Sequence, residues 1–228
     1  MKTISVGDTH GTNHWQSIAV DNYDKIIFVG DYVDSFTISN LDIKDNLLNI
    51  IELKKSYPDK VVLLLGNHDL QYMFKGFEHR CSGYRPEASI DLYQIFSENK
   101  ELFQVAFQID KHIWSHAGFH KGWISQRFKE HFDGINTLAD VVNERFNFHK
   151  SDTEVLFDVG FLRGGNDFVG GPFWLDARNL IKKPVAGLHQ IVGHTRRDVI
   201  DTYRMGEVTS VTFIDVQEDT PNFYELKI

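Results

Sequence analysis

Apolar runs alternate with polar segments through the first seventy residues of the chain. Runs rich in apolar and β-branched residues predict strands at residues 3–6, 25–29 and 61–65. Residues 41–57 instead space their apolar side chains as a helix does, and Pro58 ends that pattern. We therefore expect a β-α-β-α-β opening, an order that builds a sheet with parallel neighbours.

The rest of the chain predicts a helical middle and a second sheet. Helices are expected at residues 87–98 and 137–147, and a hairpin is expected from 103 through 113 to 116. The glycine-rich segment 163–171 is typical of a loop. Strands are again predicted at 190–192, 208–214 and 223–226. We expect one domain over residues 1–228, with a helical cap or insertion at roughly 70–185.

Polar residues follow each of the first three predicted strands. They occur in the motifs GDTHG at 7–11, GDYVDS at 30–35 and GNHD at 66–69. Ligands bind beyond the carboxyl ends of parallel strands, so these residues are expected to converge at one edge. Asp8 and His10 can turn toward one cation, Asp31 can bridge two cations, and Asn67 offers an amide oxygen.

Two later histidines also follow predicted strands and precede small residues: His116 in SHAG and His194 in VGHT. A mixed set of imidazole, carboxylate and amide ligands suits manganese, iron or zinc better than calcium, and leaves magnesium open. The ordinary structural alternatives are helix N-caps for Asp8 and Asp31, a turn residue for Asn67, and hydrogen-bonded buried histidines.

Together the five motifs resemble the signature of the calcineurin-like metallophosphoesterases, from Gly7 to about Thr195. Their form is similar to the phosphoprotein phosphatase branch, which includes bacterial and phage protein phosphatases and symmetrical dinucleoside tetraphosphate hydrolases. The resemblance implies an α/β (α+β) fold in which two mixed β-sheets pack as a sandwich flanked by helices, with the site on loops at strand ends.

The resemblance also implies a dinuclear, metal-dependent phosphoester hydrolase. Two divalent cations, most simply manganese, would be bound by six side chains: Asp8, His10, Asp31, Asn67, His116 and His194. His68 is our candidate general acid, and the resemblance assigns Asp34 as the carboxylate that holds it. We expect a phosphomonoesterase of the serine/threonine protein phosphatase type, acting on a phosphopeptide or a small phosphate ester. The alternatives are a dinucleoside polyphosphate hydrolase or phosphodiesterase, and a metal-binding module without turnover.

The chain departs from this family at Ser35, where phosphoprotein phosphatases usually carry a phosphate-binding arginine. Arg178, shortly after Trp174, is the preferred substitute. Arg163 in the glycine-rich segment is the second candidate, and Arg80 and Arg85 are further alternatives.

Composition limits the expected binding partners and the cellular compartment. The net charge of −8 and the lack of a basic cluster argue against nucleic-acid binding. A single cysteine, Cys81, excludes an intramolecular disulfide and a thiolate-rich zinc site, and favours a reducing compartment. The aliphatic runs are too short to span a bilayer, and no signal peptide is recognised. A cytoplasmic location is therefore expected; the oligomeric state stays open.

Overall fold

Two units make up the chain, and each is described here by itself. A computed structural model describes residues 1–74, 80–128, 137–146, 151–216 and 221–228. The first unit comprises Met1–Phe103 and Val216–Ile228, and the second comprises Gln104–Asp215. The strands are β1 (Lys2–Val6), β2 (Lys25–Phe28), β3 (Val61–Leu64), β4 (Phe103–Gln104), β5 (Ala106–Ile109), β6 (His112–Ser115), β7 (His189–Val192), β8 (Asp201–Arg204), β9 (Ser210–Phe213) and β10 (Tyr224–Lys227).

The helices are mostly short. The α-helices are α1 (Asn40–Ser56), α2 (Asn67–Met73), α3 (Ser89–Glu98), α4 (Lys121–Arg127), α5 (Leu138–Arg145) and α6 (Ala177–Lys182). The 3-10 helices are His14–Ser17, Val20–Asn22, Pro86–Ala88, Lys100–Leu102, Ser151–Phe157 and Phe161–Arg163. Within the described ranges, every helix is too short or too polar to cross a lipid bilayer.

The sheet of the first unit has the strand order β10-β1-β2-β3-β4. Strand β1 pairs parallel to β2, β2 pairs parallel to β3, and β10 pairs antiparallel to β1. The side chains of β3 are all buried, which explains why this strand has a continuous apolar sequence rather than an alternating one. The strands predicted at 3–6, 25–29, 61–65 and 223–226 are confirmed to within one residue at each end.

Helix α1 packs against β3, and its buried residues include Ile43, Leu47 and Ile50. Its first turn is capped by the Ser39 hydroxyl, which accepts a hydrogen bond from Asp42 N at 3.2 Å. The helix ends at Ser56, just before Pro58. The helix predicted at 41–57 is therefore confirmed.

The connection between β1 and β2 corrects the prediction of a β-α-β-α-β opening. It contains two 3-10 helices, His14–Ser17 and Val20–Asn22, instead of an α-helix. Trp15 is the buried residue of these two helices. A single apolar anchor cannot provide the continuous apolar face that stabilises a longer helix in a protein.

The sheet of the second unit has the order β5-β6-β7-β9-β8. Strands β6, β7 and β9 run parallel, while β5 and β8 pair antiparallel at the two edges. The hairpin of β5 and β6 confirms the one predicted around residue 113. Strand β8 was not predicted, because its sequence, DTYR, is mostly polar and exposed.

Both sheets are mixed and helices flank them, so the expected α/β class is confirmed. Helix α3, preceded by the 3-10 helix Pro86–Ala88, occupies the segment predicted at 87–98. Helix α5 lies within the predicted segment 137–147, whose last residue is outside the described ranges. The predicted insertion at roughly 70–185 contains β4, β5 and β6 as well as helices, and its role as a cap stays a prediction.

Candidate metal centre

The loops that follow β1 and β2 are joined to each other by main-chain hydrogen bonds. Thr9 N and His10 N donate to Asp31 O at 3.1 and 2.9 Å, and Gly11 N donates to Tyr32 O at 3.0 Å. These bonds form where two parallel strands end side by side. The GDTHG and GDYVDS motifs therefore lie together, as the pattern of strand ends predicted.

Two glycines allow the third motif to approach this pair of loops. A Cβ atom on Gly30, whose φ is +102°, would lie 2.3 Å from Gly66 N. A Cβ atom on Gly66 would lie 2.1 Å from Asp31 Oδ1. Both distances are shorter than any side chain tolerates, so only glycine permits the loops to pack this closely.

The backbone of the first unit is left-handed at several polar residues of these loops. The φ angles are +44° at His10, +54° at Asp31 and +64° at Asp34. Such conformations are uncommon outside glycine, and they concentrate at functional sites, where the surrounding structure holds them in place. They fix the direction in which each of these side chains leaves the loop.

Two main-chain carbonyl groups fix the orientation of the His10 ring. Its Nδ1 atom lies 2.9 Å from both Val33 O and Asp34 O. Carbonyl oxygens only accept hydrogen bonds, so Nδ1 carries a proton, and in the neutral ring Nε2 is the nitrogen with a lone pair. Nε2 lies 3.9 Å from Asp31 Oδ2, and His10, Asp31 and His68 each offer a ligand atom within 4.8 Å of the other two.

Buried negative charge supports the same assignment. Four carboxylates of the first unit are at most 3% exposed: Asp8, Asp31, Asp34 and Asp69. Asn67, the first residue of α2, is also 3% exposed. Buried carboxylates are costly unless they are paired or bind cations, so divalent cations would stabilise those of this set that serve as ligands.

Asp34 and His68 form a hydrogen-bonded pair. Asp34 Oδ2 lies 2.8 Å from His68 Nδ1. Gln71 Nε2 donates to the same oxygen, and the Tyr72 hydroxyl donates to Oδ1. Burial alone lowers the pKa of His68, but the charge of Asp31 and the hydrogen bond and charge of Asp34 outweigh it and raise that pKa to about 9. In the metal-free protein, His68 is therefore protonated at neutral pH.

Asp69 was given no role by the sequence, although it lies inside the GNHD motif. Its Oδ2 accepts from Asp31 N at 2.9 Å and Gly66 N at 2.8 Å, and its Oδ1 accepts from Tyr32 N at 2.9 Å. Its side chain is fully buried. The signal that could have revealed it is a carboxylate three residues after the glycine that precedes a helix.

In the second unit, His116 and His194 lie side by side. Strands β6 and β7 pair parallel, and Gly193 N donates to His116 O at 2.9 Å just beyond their ends. His116 Nε2 is 3.1 Å from His194 Nδ1. Two nitrogens bound to one cation at about 2.1 Å are about 3.0–3.4 Å apart, so this spacing suits a shared cation, as well as a hydrogen bond between the rings.

The two candidate phosphate-binding arginines differ in exposure and in their contacts. Arg178 is 68% exposed, and it pairs with Asp176 through Nε at 2.8 Å. Arg163 is 26% exposed, contacts Asp176 Oδ2 at 3.3 Å, and donates from Nη2 to Thr195 Oγ1 at 2.6 Å. Arg163 is therefore the one that reaches the residue next to His194.

The other two arginines have different contacts. Arg85 donates from its guanidinium to Ser35 O and to Asn40 Oδ1. Arg80 lies over the ring of Tyr84, 3.9 Å from its centroid. Ser35 Oγ accepts from Thr37 N at 3.3 Å and Ile38 N at 3.2 Å, so this side chain stabilises its own turn.

The fold and these motifs define a metal-dependent phosphoesterase. The model of the calcineurin-like phosphoesterase family matches residues 1–196, and the chain belongs to this family. Comparison with curated protein sequences finds no significant match.

Solved structures share the fold. One is a cold-active protein-tyrosine phosphatase from a psychrophilic Shewanella species, with 16% identity over 99% of this chain and 75% of that protein, at a TM-score of 0.65. Another is a serine/threonine protein phosphatase from Saccharomyces cerevisiae, with 20% identity over 93% of this chain and 67% of that protein, at a TM-score of 0.53. At these identities the likeness concerns the fold alone.

The substitution Asp69→Asn tests whether this carboxylate holds the loops together. An asparagine has one acceptor oxygen, so it cannot serve all three main-chain donors. We expect the free energy of unfolding to fall by about 1–3 kcal/mol, as for lost hydrogen bonds to a buried charge, and metal affinity to fall with it. Urea titration measures the first and calorimetry with Mn²⁺ the second.

Asp42→Asn is the matched control for Asp69→Asn. Asp42 is an exposed carboxylate at the start of α1 and bonds to Ser39 Oγ at 2.6 Å. Its replacement should cost less than about 1 kcal/mol. Equal losses in the two variants would mean that Asp69 is an ordinary helix-cap residue.

Proposed function

We propose that this phosphoesterase is a dinuclear phosphomonoesterase of the serine/threonine protein phosphatase type. The observation that carries the proposal is the arrangement around Asp31. His10, whose ring is oriented by two main-chain carbonyl groups, lies on one side, and on the other the main-chain N–H of His68 donates to Asp31 Oδ1 at 2.9 Å. The side chains of His10 and His68 also each offer a ring nitrogen within 4.8 Å of an Asp31 oxygen, so a candidate ligand and the candidate proton donor lie beside one carboxylate.

The proposed metal ligands are the polar residues of the first three motifs and the two later histidines. Asp8, His10, Asp31 and Asn67 of the first unit and His116 and His194 of the second would bind two divalent cations. Manganese is the proposed metal, with iron, zinc and magnesium as alternatives. When bound, such cations offset the charge of a phosphate group and activate water for attack on phosphorus. The single cysteine favours a reducing, cytoplasmic setting for the reaction.

His68 would deliver the proton that the leaving oxygen needs. Nδ1 is engaged by Asp34, so Nε2 is the nitrogen available to the substrate. Burial and the hydrogen bond to Asp34 raise the pKa of the Tyr72 hydroxyl, which therefore stays a donor to that carboxylate. Asp34 is fixed by three donors and cannot turn away from His68.

Monoester hydrolysis is supported by the two structural relatives, both of which are named as protein phosphatases. The alternative is a dinucleoside polyphosphate hydrolase or phosphodiesterase. One observation favours it: the Ser35 hydroxyl is bonded within its own turn, so the position offers no cation to the dianion of a monoester.

A substrate panel tests the proposal. A phosphopeptide, a small monoester, a diester and a dinucleoside tetraphosphate would be assayed with Mn²⁺ and again with a chelator. We expect the two monoesters to be preferred and the chelator to abolish turnover. In Asp31→Asn, activity should fall by at least about 100-fold, because a central ligand loses its charge.

Asp21→Asn, which replaces an exposed carboxylate, is the control and should keep full activity. Preference for the tetraphosphate would establish the alternative. No activity in metal-loaded protein would favour a binding module, and full activity in Asp31→Asn would exclude the proposed metal centre.

The role of His68 predicts a dependence on the leaving group. His68→Asn should slow hydrolysis of an alkyl phosphate by about 10²–10⁴-fold, the usual range for general acid catalysis. Hydrolysis of a nitrophenyl phosphate should slow far less, because that leaving group needs no proton. The measurement is the steady-state rate on both substrates, compared between the variant and the unsubstituted chain. Asp34→Asn should show the same difference between the two substrates. Equal slowing of the two substrates would argue against proton delivery by His68.

Arg163 and Arg178 predict different effects on substrate binding. A charge-assisted hydrogen bond to phosphate is worth about 1.5–3 kcal/mol, so Arg163→Gln should raise KM about 10- to 100-fold. Arg178→Gln should change KM less than about threefold, because its exposed guanidinium serves mainly Asp176. Both are measured with the preferred substrate of the panel. A larger effect at Arg178 would restore it as the phosphate-binding residue.

A further inference from the structure

The side-chain amide of Asn67 is bonded to the thiol of Cys81. Asn67 Nδ2 donates to Cys81 Sγ over 3.1 Å, and the thiol contacts Asn67 O at 3.5 Å. A thiol is a weak donor and a weak acceptor, and here it does both toward one residue. Because nitrogen and oxygen occupy opposite sides of the amide, the contact turns Asn67 Oδ1 away from the sulfur.

The main chain of Cys81 is fixed as well. Cys81 N donates to Gln71 Oε1 at 2.9 Å, and Gln71 is 5% exposed. The other end of the Gln71 amide donates to Asp34 Oδ2. Cys81 is therefore placed by the same hydrogen-bond network that holds the partner of His68.

From these contacts we propose that Cys81 is a positioning residue for the metal centre. Its thiol selects the orientation of Asn67 in which the amide nitrogen faces the sulfur, so that the oxygen would be left for a cation. The inference rests on the proposed function, because it takes Asn67 to be a metal ligand. It gives the single cysteine of the chain a role that needs no thiolate and no disulfide.

The orientation matters because an amide has only one end that binds a metal. Oxygen is a ligand, whereas the NH₂ group is a donor without a lone pair to offer. Without the thiol, Asn67 Nδ2 loses this hydrogen bond, and part of the binding energy is spent in ordering the amide. Outer partners of this kind typically change metal affinity by 10- to 100-fold.

The test compares three substitutions that separate the acceptor from the volume of the side chain. Cys81→Val retains bulk without an acceptor, Cys81→Ala removes both, and Cys81→Ser retains a small group that accepts and donates. Mn²⁺ affinity and stoichiometry are measured by calorimetry on the full chain without substrate. Urea unfolding of the metal-free variants verifies that each one folds.

Relative to the unsubstituted chain, Cys81→Val and Cys81→Ala should bind Mn²⁺ about 10-fold more weakly. Cys81→Ser should remain within about threefold, because a hydroxyl replaces the thiol as acceptor. The proposal is overturned if the valine variant binds as tightly as the unsubstituted chain. It is also overturned if the serine variant binds as weakly as the valine variant.

Asn67→Ala separates this inference from the proposed function. If that variant binds Mn²⁺ with unchanged affinity, Asn67 is not a ligand, and the proposed ligand set is wrong. If Asn67→Ala weakens binding but all Cys81 variants bind normally, the ligand set stands and only the role of Cys81 fails.

Discussion

The rest of the candidate site depends on the hydrogen bonds that the carboxylate of Asp69 accepts. This carboxylate accepts main-chain N–H groups from Asp31, Tyr32 and Gly66, so one buried side chain ties the loop after β2 to the loop after β3. Hydrogen bonds to a charged, buried acceptor are among the stronger ones in proteins. The left-handed backbone of Asp31 and the close approach at Gly66 both need such a restraint.

The charge distribution of the first unit follows from this packing. Three loops that meet at strand ends bury several carboxylates. Hydrogen-bond donors and the protonated side chain of His68 offset part of their negative charge. The remaining charge is what makes divalent cations suitable occupants. For the proposed ligands Asp8 and Asp31, stability of the metal-free protein and affinity for metal would be opposed, because a buried carboxylate that is costly without a cation attracts one.

The sequence predicted much of this arrangement. The sequence predicted strands such as β2 and β3 because burial on both faces gives them continuous apolar runs. It predicted the polar residues at their ends because the turns that carry them contain glycine. Asp69, Gln71 and Cys81 were missed, since their roles depend on partners between 3 and 38 residues away. The sequence could not decide between Arg163 and Arg178 for the same reason, because only the folded chain shows which one reaches Thr195.

The backbone conformations of the site determine how it can change. His10, Asp31 and Asp34 have left-handed φ angles, which side chains other than glycine, asparagine and aspartate adopt only at a cost. Asn67, by contrast, begins α2 in an ordinary helix, where many residues fit without backbone strain. Among these positions, Asn67 is the one that a related protein could replace with the least backbone strain. With the proposed ligand set, such a replacement would change the metal preference of the centre while its framework is preserved.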